Sequence, residues 1–195
     1  MNKRASDSIT ITSAIIDHAS YLTGRVLDAG CGSMPYKRLT FDGVTDWVGL
    51  DVREGVGDID ADMCEMTDEV PDESFDSVVC LDALQYVTAP QRAIREFYRV
   101  LKPGGRLLLI VPNSQEDDRS ALWGFRIEGV RLLLLQAGFD IEAMRTASRQ
   151  FACEYDNSKV SKYGYMVPPE IEAFVQRLDD AFPHIVVAVG LKEER

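Results

Sequence analysis

A short apolar run that ends in two closely spaced glycines constrains the fold of this chain more than any other feature. Residues 26–32 read V-L-D-A-G-C-G, which predicts a buried strand over residues 25–29 and a tight turn at Gly30 and Gly32. Glycine lets bare backbone approach a ligand, and open α/β sheets bind their ligands at the carboxyl edge of the strands. The segment therefore predicts an α/β domain whose first strand ends at a ligand site.

Further apolar runs alternate with turn residues and helical patterns along the rest of the chain. Five more strands are expected, at residues 47–52, 57–61, 75–81, 106–111 and 184–191. Apolar runs of this length and continuity are typical of parallel strands that are covered on both faces. The sequence has 195 residues and no linker that would divide it, so we expect a single domain over residues 1–195.

Helices are expected where apolar side chains recur at helical spacing between these strands. The patterns predict helices at residues 11–22, 90–101, 127–137 and 169–182. Thr88 and Gln91 are placed to form a capping box at the start of the second of these helices. Gly138 follows the third helix at the position that favours a left-handed residue. The sequence K-P-G-G at 102–105 predicts a turn before the strand at 106–111.

The net charge of the chain excludes several classes of partner. The 21 Lys and Arg residues stand against 32 Asp and Glu residues, a formal net charge of −11, and no basic run occurs, so we expect no nucleic acid. No apolar stretch approaches the ~20 residues of a membrane span, so we expect no membrane partner. The N-terminal residues lack the apolar part of a secretory signal, which favours a cytoplasmic location. A small molecule is the expected partner, and the sequence leaves a homodimer open.

The four cysteines and two histidines do not have the spacing of a metal site. No Cys-x-x-Cys pair occurs, and neither histidine stands near a cysteine in the sequence, so no metal is expected. Cys31, Cys64 and Cys80 are expected to be small buried residues rather than nucleophiles.

The acidic residue before the glycine turn discriminates between nucleotide cofactors. A dinucleotide fingerprint requires glycine or alanine at position 35, where this chain has Pro35, and no phosphate-binding Gly-Lys-Ser/Thr motif occurs. Asp28 would repel a pyrophosphate but attract a cationic amine. S-adenosylmethionine carries an ammonium and a sulfonium and no phosphate, so the charge favours that cofactor. The alternative is a buried Asp28 that hydrogen-bonds to the glycine turn.

Two further acidic residues stand where a nucleoside would be held. Asp51 ends the second predicted strand, where a carboxylate accepts hydrogen bonds from both hydroxyls of a ribose. Alternatively, Asp51 caps a helix. Asp62 follows the third predicted strand, where we expect it to accept from the amine of adenine while Met63 contacts the ring. The alternative for Asp62 is a solvated surface position.

These segments together resemble the class I S-adenosylmethionine-dependent methyltransferases of the type 11 group. The resemblance is carried by V-L-D-A-G-C-G at 26–32, G-L-D-V at 49–52, P-D-E-S-F-D-S-V-V-C at 71–80, L-Q-Y-V at 84–87 and R-V-L-K-P-G-G at 99–105. It implies an α/β fold with a Rossmann-like, doubly wound seven-stranded sheet. The sheet would be mostly parallel with an antiparallel last strand, and helices would cover both faces.

The resemblance also implies which residues bind the cofactor. Asp28 and the two glycines would cradle the methionine part, Asp51 would hold the ribose, and Val52 would flank the adenine. Cys80 and Leu81, at the end of the fourth strand, would pass close to the amino-acid end and the sulfonium. The implied cofactor-binding residues are Asp28, Gly30, Cys31, Gly32, Asp51, Val52, Asp62, Met63, Cys80 and Leu81.

The implied reaction is methyl transfer to an O, N or C nucleophile of a small molecule, with release of S-adenosyl-L-homocysteine. Pro35-Tyr36 after the glycine turn and W-G-F-R at 123–126 before a helix ending A-G-F resemble a branch of the group associated with surface-saccharide or natural-product genes, which implies such an acceptor. No catalytic residue is assigned. Tyr86 stands where many relatives carry histidine, and with a reference pKa near 10 it is a poor base, so a packing role is equally expected. The substrate candidates are Tyr36, Asp82, Tyr86 and Arg126.

The resemblance places residues 1–24 and 150–169 beside the carboxyl edge of the sheet. We expect an N-terminal helix at the first and a substrate-side lid at the second, with an ordinary surface connection as the alternative. Two rival functions stay open. One is an S-adenosylmethionine-binding regulatory or partner subunit without catalytic activity. The other is a nicotinamide-dependent oxidoreductase, which Asp28 and Pro35 disfavour.

Overall fold

The computed structural model describes residues 11–12, 14–37, 39, 41–112, 121–147 and 185–193. Seven strands within these ranges form one sheet. They are β1 (Gly24–Ala29), β2 (Val44–Asp51), β3 (Ile59–Asp60), β4 (Phe75–Leu81), β5 (Leu101–Pro112), β6 (Asp140–Ala147) and β7 (Ile185–Leu191). Their order across the sheet is β3-β2-β1-β4-β5-β7-β6.

The directions of the strands confirm the predicted doubly wound sheet. Neighbours from β3 to β5 pair in parallel, whereas β7 pairs antiparallel with both β5 and β6. From β1 the chain winds first towards β2 and β3, and then returns to build the other half of the sheet from β4. Such a reversal leaves a crevice at the carboxyl ends of the two central strands. The strand order therefore places a ligand site beyond the ends of β1 and β4.

Apolar side chains on the two faces of the sheet form two separate cores. Leu27 of β1 faces the first core, where two helices, α1 (Pro90–Val100) and α2 (Ile127–Ala137), bury their apolar sides. Its neighbour Val26 faces the second core together with the helical residue Ile15. Successive side chains of a strand point to opposite faces, so a central strand needs cover on both. The prediction of helices on both faces is confirmed.

The bounds of both helices agree with the prediction, but the predicted capping box is wrong. The N-cap of α1 is Ala89, which makes no side-chain cap hydrogen bond. Pro90 at the first helical position fixes φ for the first turn, so Thr88 stands one residue before the cap. After α2, Gly138 has a φ of 102° and forms the predicted left-handed cap. None of the helices in the described part of the chain is long and apolar enough to cross a membrane.

The helix predicted at residues 11–22 is interrupted at His18. Residues 11–12 and 14–17 are helical, and a short 3-10 helix, η1 (Ala19–Tyr21), follows. The Nδ1–H of His18 donates to the carbonyl of Ala14 at 2.7 Å, and the His18 amide donates to the carbonyl of Ile15 at 3.1 Å. Residues 1–10, the predicted lid at 150–169 and the predicted helix at 169–182 lie outside the described residues.

β2 begins three residues earlier than predicted and β3 is shorter, but two other strands differ most from the prediction. β5 begins at Leu101, which pairs with Phe75, and the predicted turn lies inside the strand as an irregularity with a φ of 78° at Gly104. The apolar runs do not predict β6 at all. Its sequence, D-I-E-A-M-R-T-A, contains no apolar run, because β6 stands at the edge of the sheet and only β7 pairs with it.

Candidate functional site

A cavity of about 510 Å³ lies at the carboxyl edge of the sheet, where the strand order predicts a crevice. Its walls come from the segments that follow β1, β2, β3 and β4. The lining residues are Gly30, Asp51, Val52, Arg53, Ala61, Asp62, Met63, Asp82, Ala83, Tyr86, Val87 and Thr88. The predicted site residues that line it are Gly30, Asp51, Val52, Asp62, Met63, Asp82 and Tyr86. The predicted residues that do not line it are Asp28, Cys31, Gly32, Cys80, Leu81, Tyr36 and Arg126.

The glycine turn closes one side of the cavity. The amides of Gly30 and Cys31 both donate to the carbonyl of Leu50, at 2.8 and 3.0 Å, so the turn is tied to the end of β2. Gly30 has a φ of 78°, and a Cβ there would stand 2.5 Å from Cβ of Ala83 and 2.8 Å from Cε of Met63. Only glycine fits this position, which explains the first glycine of the motif.

Asp51 ends β2 and its buried side chain lines the cavity. Its Oδ2 accepts from the amide of Gly32 at 3.0 Å, and Oδ1 accepts from the amide of Arg53 at 3.0 Å. The guanidinium of Arg53 also donates to both oxygens, at 2.9 and 3.0 Å. The hydrogen bonds from the Arg53 side chain are the largest effect on the pKa of Asp51, and they lower it. Burial is the second-largest effect and raises the pKa, and the resulting value is about 2. Asp51 is therefore ionised at any physiological pH.

Arg53 is a site residue that the sequence reasoning missed. Its position two residues after Asp51 was the available signal, because a basic residue at that spacing can fold back on the carboxylate. Its side chain is 64% exposed, so solvent screens the ion pair with Asp51. The guanidinium covers the two oxygens that the resemblance assigns to a ribose.

Asp28 lies beneath the cavity rather than in its wall. The residue is only 2% exposed, and its Oδ2 accepts a hydrogen bond from Nε1 of Trp47 at 3.2 Å. Burial raises the pKa of Asp28 from 3.8 to about 7, the bond from Trp47 lowers it, and the charge of Asp51 raises it further. The alternative interpretation was a buried Asp28 that hydrogen-bonds to the glycine turn. The carboxyl group is indeed buried, but its hydrogen bond comes from Trp47.

The raised pKa of Asp28 predicts a pH-dependent stability. Its contribution to the free energy of unfolding is complete below about pH 4 and is lost as the pH rises through about 7, because the folded state holds the proton more tightly. Asp28→Asn removes this ionisation and still offers an oxygen to Trp47. We expect urea unfolding to show that the free energy of unfolding of the variant, relative to that of the natural chain, increases by about 2 kcal/mol from pH 5 to pH 8. An equal difference at both pH values would contradict the raised pKa.

The residues predicted to contact adenine also line the cavity. Val52 is exposed, Met63 is buried, and both line the cavity. Oδ1 of Asp62 accepts from the amide of Cys64 at 2.8 Å, so the carboxylate is held by its own turn. Asp62 is exposed yet lines the cavity, which leaves both a ligand contact and a solvated role consistent with its position.

The three cysteines in the described part of the chain are free and buried. Burial, with the charges of Asp28 and Asp51 second and third, raises the pKa of Cys31 to about 12. Burial likewise raises the pKa of Cys64 and of Cys80. These thiols stay protonated at neutral pH, which removes the thiolate that a nucleophile requires. Within the described residues, no group of three or more potential ligand side chains could hold a metal ion.

The segment after β4 forms the end of the cavity away from Val52. Asp82 has a φ of 56°, a conformation that residues with a side chain rarely adopt. A short 3-10 helix, η2 (Leu84–Tyr86), follows it, and the exposed Tyr86 lines the cavity from that helix. Trp123 packs on this segment through an Nε1–H bond to the carbonyl of Val87 at 2.8 Å. This segment therefore contributes the side chains of Tyr86 and Val87 to the cavity, together with the polar side chains of Asp82 and Thr88.

Two substrate candidates lie elsewhere. Tyr36 is half-buried and packs against the second core. Arg126 is exposed and stands at the N-cap of α2.

The charges of the cavity wall favour a cationic ligand. Among the described lining residues, Asp51, Asp62 and Asp82 are carboxylates, and Arg53 is the one cation, already paired with Asp51. Phosphate groups would meet three like charges here, whereas an ammonium or sulfonium would be attracted.

A comparison with protein families gives a match over the part of the chain that contains the cavity. Residues 27–109 match the family model of the methyltransferase domain, which spans the glycine turn and both central strands. The chain is 45% identical over 48 residues to the ubiquinone/menaquinone biosynthesis C-methyltransferase UbiE of Pseudoalteromonas translucida, covering 25% of this chain and 19% of that protein. It is 31% identical over 114 residues to the ubiquinone biosynthesis O-methyltransferase of Pseudomonas entomophila, covering 50% of this chain and 49% of that protein. The chain thus spans at most about half the length of these two relatives.

Solved structures share the fold across nearly the whole chain. An S-adenosylmethionine-dependent methyltransferase from Archaeoglobus fulgidus superimposes with a TM-score of 0.68 at 16% identity, covering 95% of this chain and 94% of that one. Family model and fold together confirm the predicted resemblance. Residues 27–109 match the methyltransferase domain model, and the chain has the same doubly wound fold as the S-adenosylmethionine-dependent methyltransferase from Archaeoglobus fulgidus.

Proposed function

We propose that this chain is an S-adenosylmethionine-dependent methyltransferase that methylates an O, N or C nucleophile of a small molecule. The observation that carries the proposal is one cavity in which the glycine turn meets the carboxylates of Asp51 and Asp62. The match of residues 27–109 to the methyltransferase domain model supports it independently.

The residues of the cavity fit this cofactor. The missing side chain at Gly30 leaves room between the turn and Ala83 that a Cβ would fill. We propose that Asp51 accepts hydrogen bonds from the ribose hydroxyls and that Asp62 accepts from the adenine amine. Val52 and Met63 would contact the two sides of the adenine ring. Asp28 is buried and does not line the cavity, so it would make no direct contact with the cofactor.

Catalysis in this proposal rests on alignment and the exclusion of water. The bound cofactor supplies a methyl group that is already activated on a positively charged sulfur. The chain has to hold the two reactants in line and keep water away. The phenol of Tyr86 lines the cavity and is suited to orienting an acceptor by hydrogen bonding.

We propose a small aromatic molecule as the acceptor. Tyr86 and Val87 line one end of the cavity, and Trp123 packs beside them, so that end offers flat apolar surface. The two curated relatives are named for ubiquinone biosynthesis, which agrees with a ring-containing acceptor. The saccharide or natural-product acceptor that W-G-F-R suggests stays a prediction, as do the cytoplasmic location and the homodimer.

Calorimetry and a turnover assay test the proposal. We expect S-adenosylhomocysteine to bind with a dissociation constant in the micromolar range and NAD not to bind, because the pyrophosphate of NAD would meet the carboxylates of the cavity. With S-adenosylmethionine and a pool of phenols and monosaccharides, we expect mass spectrometry to detect S-adenosylhomocysteine and a methylated phenol. Binding of NAD in place of S-adenosylhomocysteine would overturn the proposal and favour the oxidoreductase.

The regulatory alternative gives a different result in the same experiment. Tyr86, at a position where many relatives carry histidine, is the feature that favours it. A non-catalytic subunit would bind S-adenosylhomocysteine equally well but would consume no S-adenosylmethionine with any acceptor in the pool. It would also carry a partner protein through purification.

A further inference from the structure

The carboxylate of Asp51 accepts a full set of hydrogen bonds from this chain. Its Oδ2 accepts from the amide of Gly32 and its Oδ1 from the amide of Arg53, each at 3.0 Å. The guanidinium of Arg53 supplies two more bonds, from Nε to Oδ1 at 2.9 Å and from Nη2 to Oδ2 at 3.0 Å. An ionised carboxylate has about four lone-pair sites, two on each oxygen. A further donor can therefore bind Asp51 only if one of these four leaves.

The backbone donors and the side-chain donor differ in how readily they can leave. The amide of Gly32 belongs to the glycine turn, which the bonds from Gly30 and Cys31 to the carbonyl of Leu50 tie to β2. The side chain of Arg53 is 64% exposed, and water and salt screen an ion pair at such a position. The guanidinium is thus the donor that a ligand can replace.

The guanidinium also lies over the glycine turn. Its Nη2 is 3.7 Å from the Cβ that Gly32 would gain on substitution. Arg53 lines the cavity beside Gly30 and Asp51, so its side chain reaches from the end of β2 to the turn after β1. A ligand that binds Asp51 against this turn and a guanidinium in this position need the same space.

The charge of Asp51 explains why a replaceable cation is useful here. The carboxylate is buried and ionised, and an ionised group out of water is costly in free energy unless it is paired or hydrogen-bonded. Among the lining residues that the structure describes, Arg53 is the one cation. Hydroxyl groups that donate to the carboxylate supply an equivalent set of bonds. A guanidinium and a pair of hydroxyls are therefore alternative partners of Asp51.

We propose that Arg53 is a built-in competitor of the nucleoside, and that the two ribose hydroxyls replace its guanidinium on Asp51 when the cofactor binds. This proposal rests on the proposed function. The number of bonds agrees, because two hydroxyls replace two guanidinium bonds and both backbone amides keep theirs. If the ion pair is formed about two thirds of the time, it reduces the apparent affinity about threefold, since only the remaining fraction binds the ribose. Arg53 thereby sets the affinity of the site and makes it depend on salt.

Calorimetry with two ligands that contain the ribose tests the competition. S-adenosylhomocysteine carries an ammonium and a carboxylate, whereas 5′-methylthioadenosine is uncharged. At about 20 mM sodium chloride, we expect Arg53→Ala to tighten both about threefold, because both offer the same hydroxyls. An effect of the arginine charge at a distance would leave methylthioadenosine unchanged. Raising the salt to about 500 mM should tighten binding to the natural chain by about twofold and leave Arg53→Ala unchanged, because salt weakens the ion pair.

Lys37→Ala is the matched control. Lys37 is an exposed cation that pairs with Asp58 at 3.2 Å, and it does not line the cavity. We expect its removal to leave both affinities and their salt dependence unchanged. Arg53→Lys separates charge from geometry, because lysine keeps the charge but loses the fork that reaches both oxygens. It should tighten both ligands by less than Arg53→Ala does.

Carbon NMR of the Asp51 carboxyl group measures the contact without a ligand. The Arg53 side chain is the largest effect that lowers the pKa of Asp51, so Arg53→Ala should raise that pKa from about 2 towards its ordinary value of 3.8. An unchanged pKa, unchanged or weaker binding in Arg53→Ala, or equal tightening in Lys37→Ala would overturn the proposal. Failure of the natural chain and of every variant to bind either ligand would instead overturn the proposed function.

Discussion

Gly30→Ala is expected to abolish detectable binding of S-adenosylhomocysteine and to lower the free energy of unfolding by about 2–4 kcal/mol. The added Cβ would stand 2.5 Å from Cβ of Ala83, which is attached to backbone and cannot move alone. The amide of Gly30 is bonded to Leu50, so the turn cannot shift away either. A left-handed φ adds strain to the clash. Calorimetry measures the first effect and urea unfolding the second.

Gly55→Ala is the matched control for backbone strain. Its φ of 70° is close to the 78° of Gly30, but no atom lies within 4 Å of the Cβ that it would gain. We expect this variant to lose only about 1 kcal/mol of stability and to keep its affinity for the ligand. If Gly30→Ala were no worse than Gly55→Ala, the close approach of the turn to Ala83 would be wrong.

Asp51→Ala is expected to weaken S-adenosylhomocysteine about 100-fold. Two hydrogen bonds to a charged carboxylate are each worth about 1.5–3 kcal/mol, of which part is already satisfied in the free protein by Arg53. Because the pKa of Asp51 is about 2, the fold-change between the natural chain and Asp51→Ala should be the same at pH 5 and at pH 8. Calorimetry at both pH values measures the loss and its independence of pH.

Arg53→Ala is expected to change the affinity for S-adenosylhomocysteine in the opposite direction, because it frees the carboxylate of Asp51. The guanidinium occupies both oxygens of Asp51, so removing it should tighten binding by about threefold, a modest gain because the ion pair is exposed. A large loss of affinity in Arg53→Ala would show that the arginine, and not Asp51, contacts the ribose.

The parts of the fold that the sequence predicts well are those buried on both faces. β4 has the predicted bounds of 75–81, because its run of apolar residues has no other explanation than a central strand. β6 lacks such a run, since an edge strand beside β7 needs few apolar side chains. The capping box also fails for a local reason, because Pro90 determines where α1 begins.

In the candidate site, the local sequence likewise predicts some residues, whereas the roles of others depend on tertiary contacts. Gly30 and Asp51 were predictable because their roles depend on standing at the ends of strands. The burial of Asp28 depends on Trp47, a residue 19 positions away on the neighbouring strand, and no local pattern contains that contact. Charge complementarity predicts an acidic site, but only packing decides which carboxylate faces the ligand.

Because β7 lies between β5 and β6 in the sheet, the edge strand β6 is synthesised before β7, the strand with which it pairs. β6 emerges first, and it has no hydrogen-bonding neighbour in the sheet until Ile185–Leu191 has been translated. The flank of β5 stays uncovered for the same interval. Nascent chains therefore carry an unfinished sheet with an open edge, the kind of surface that chaperones protect during synthesis.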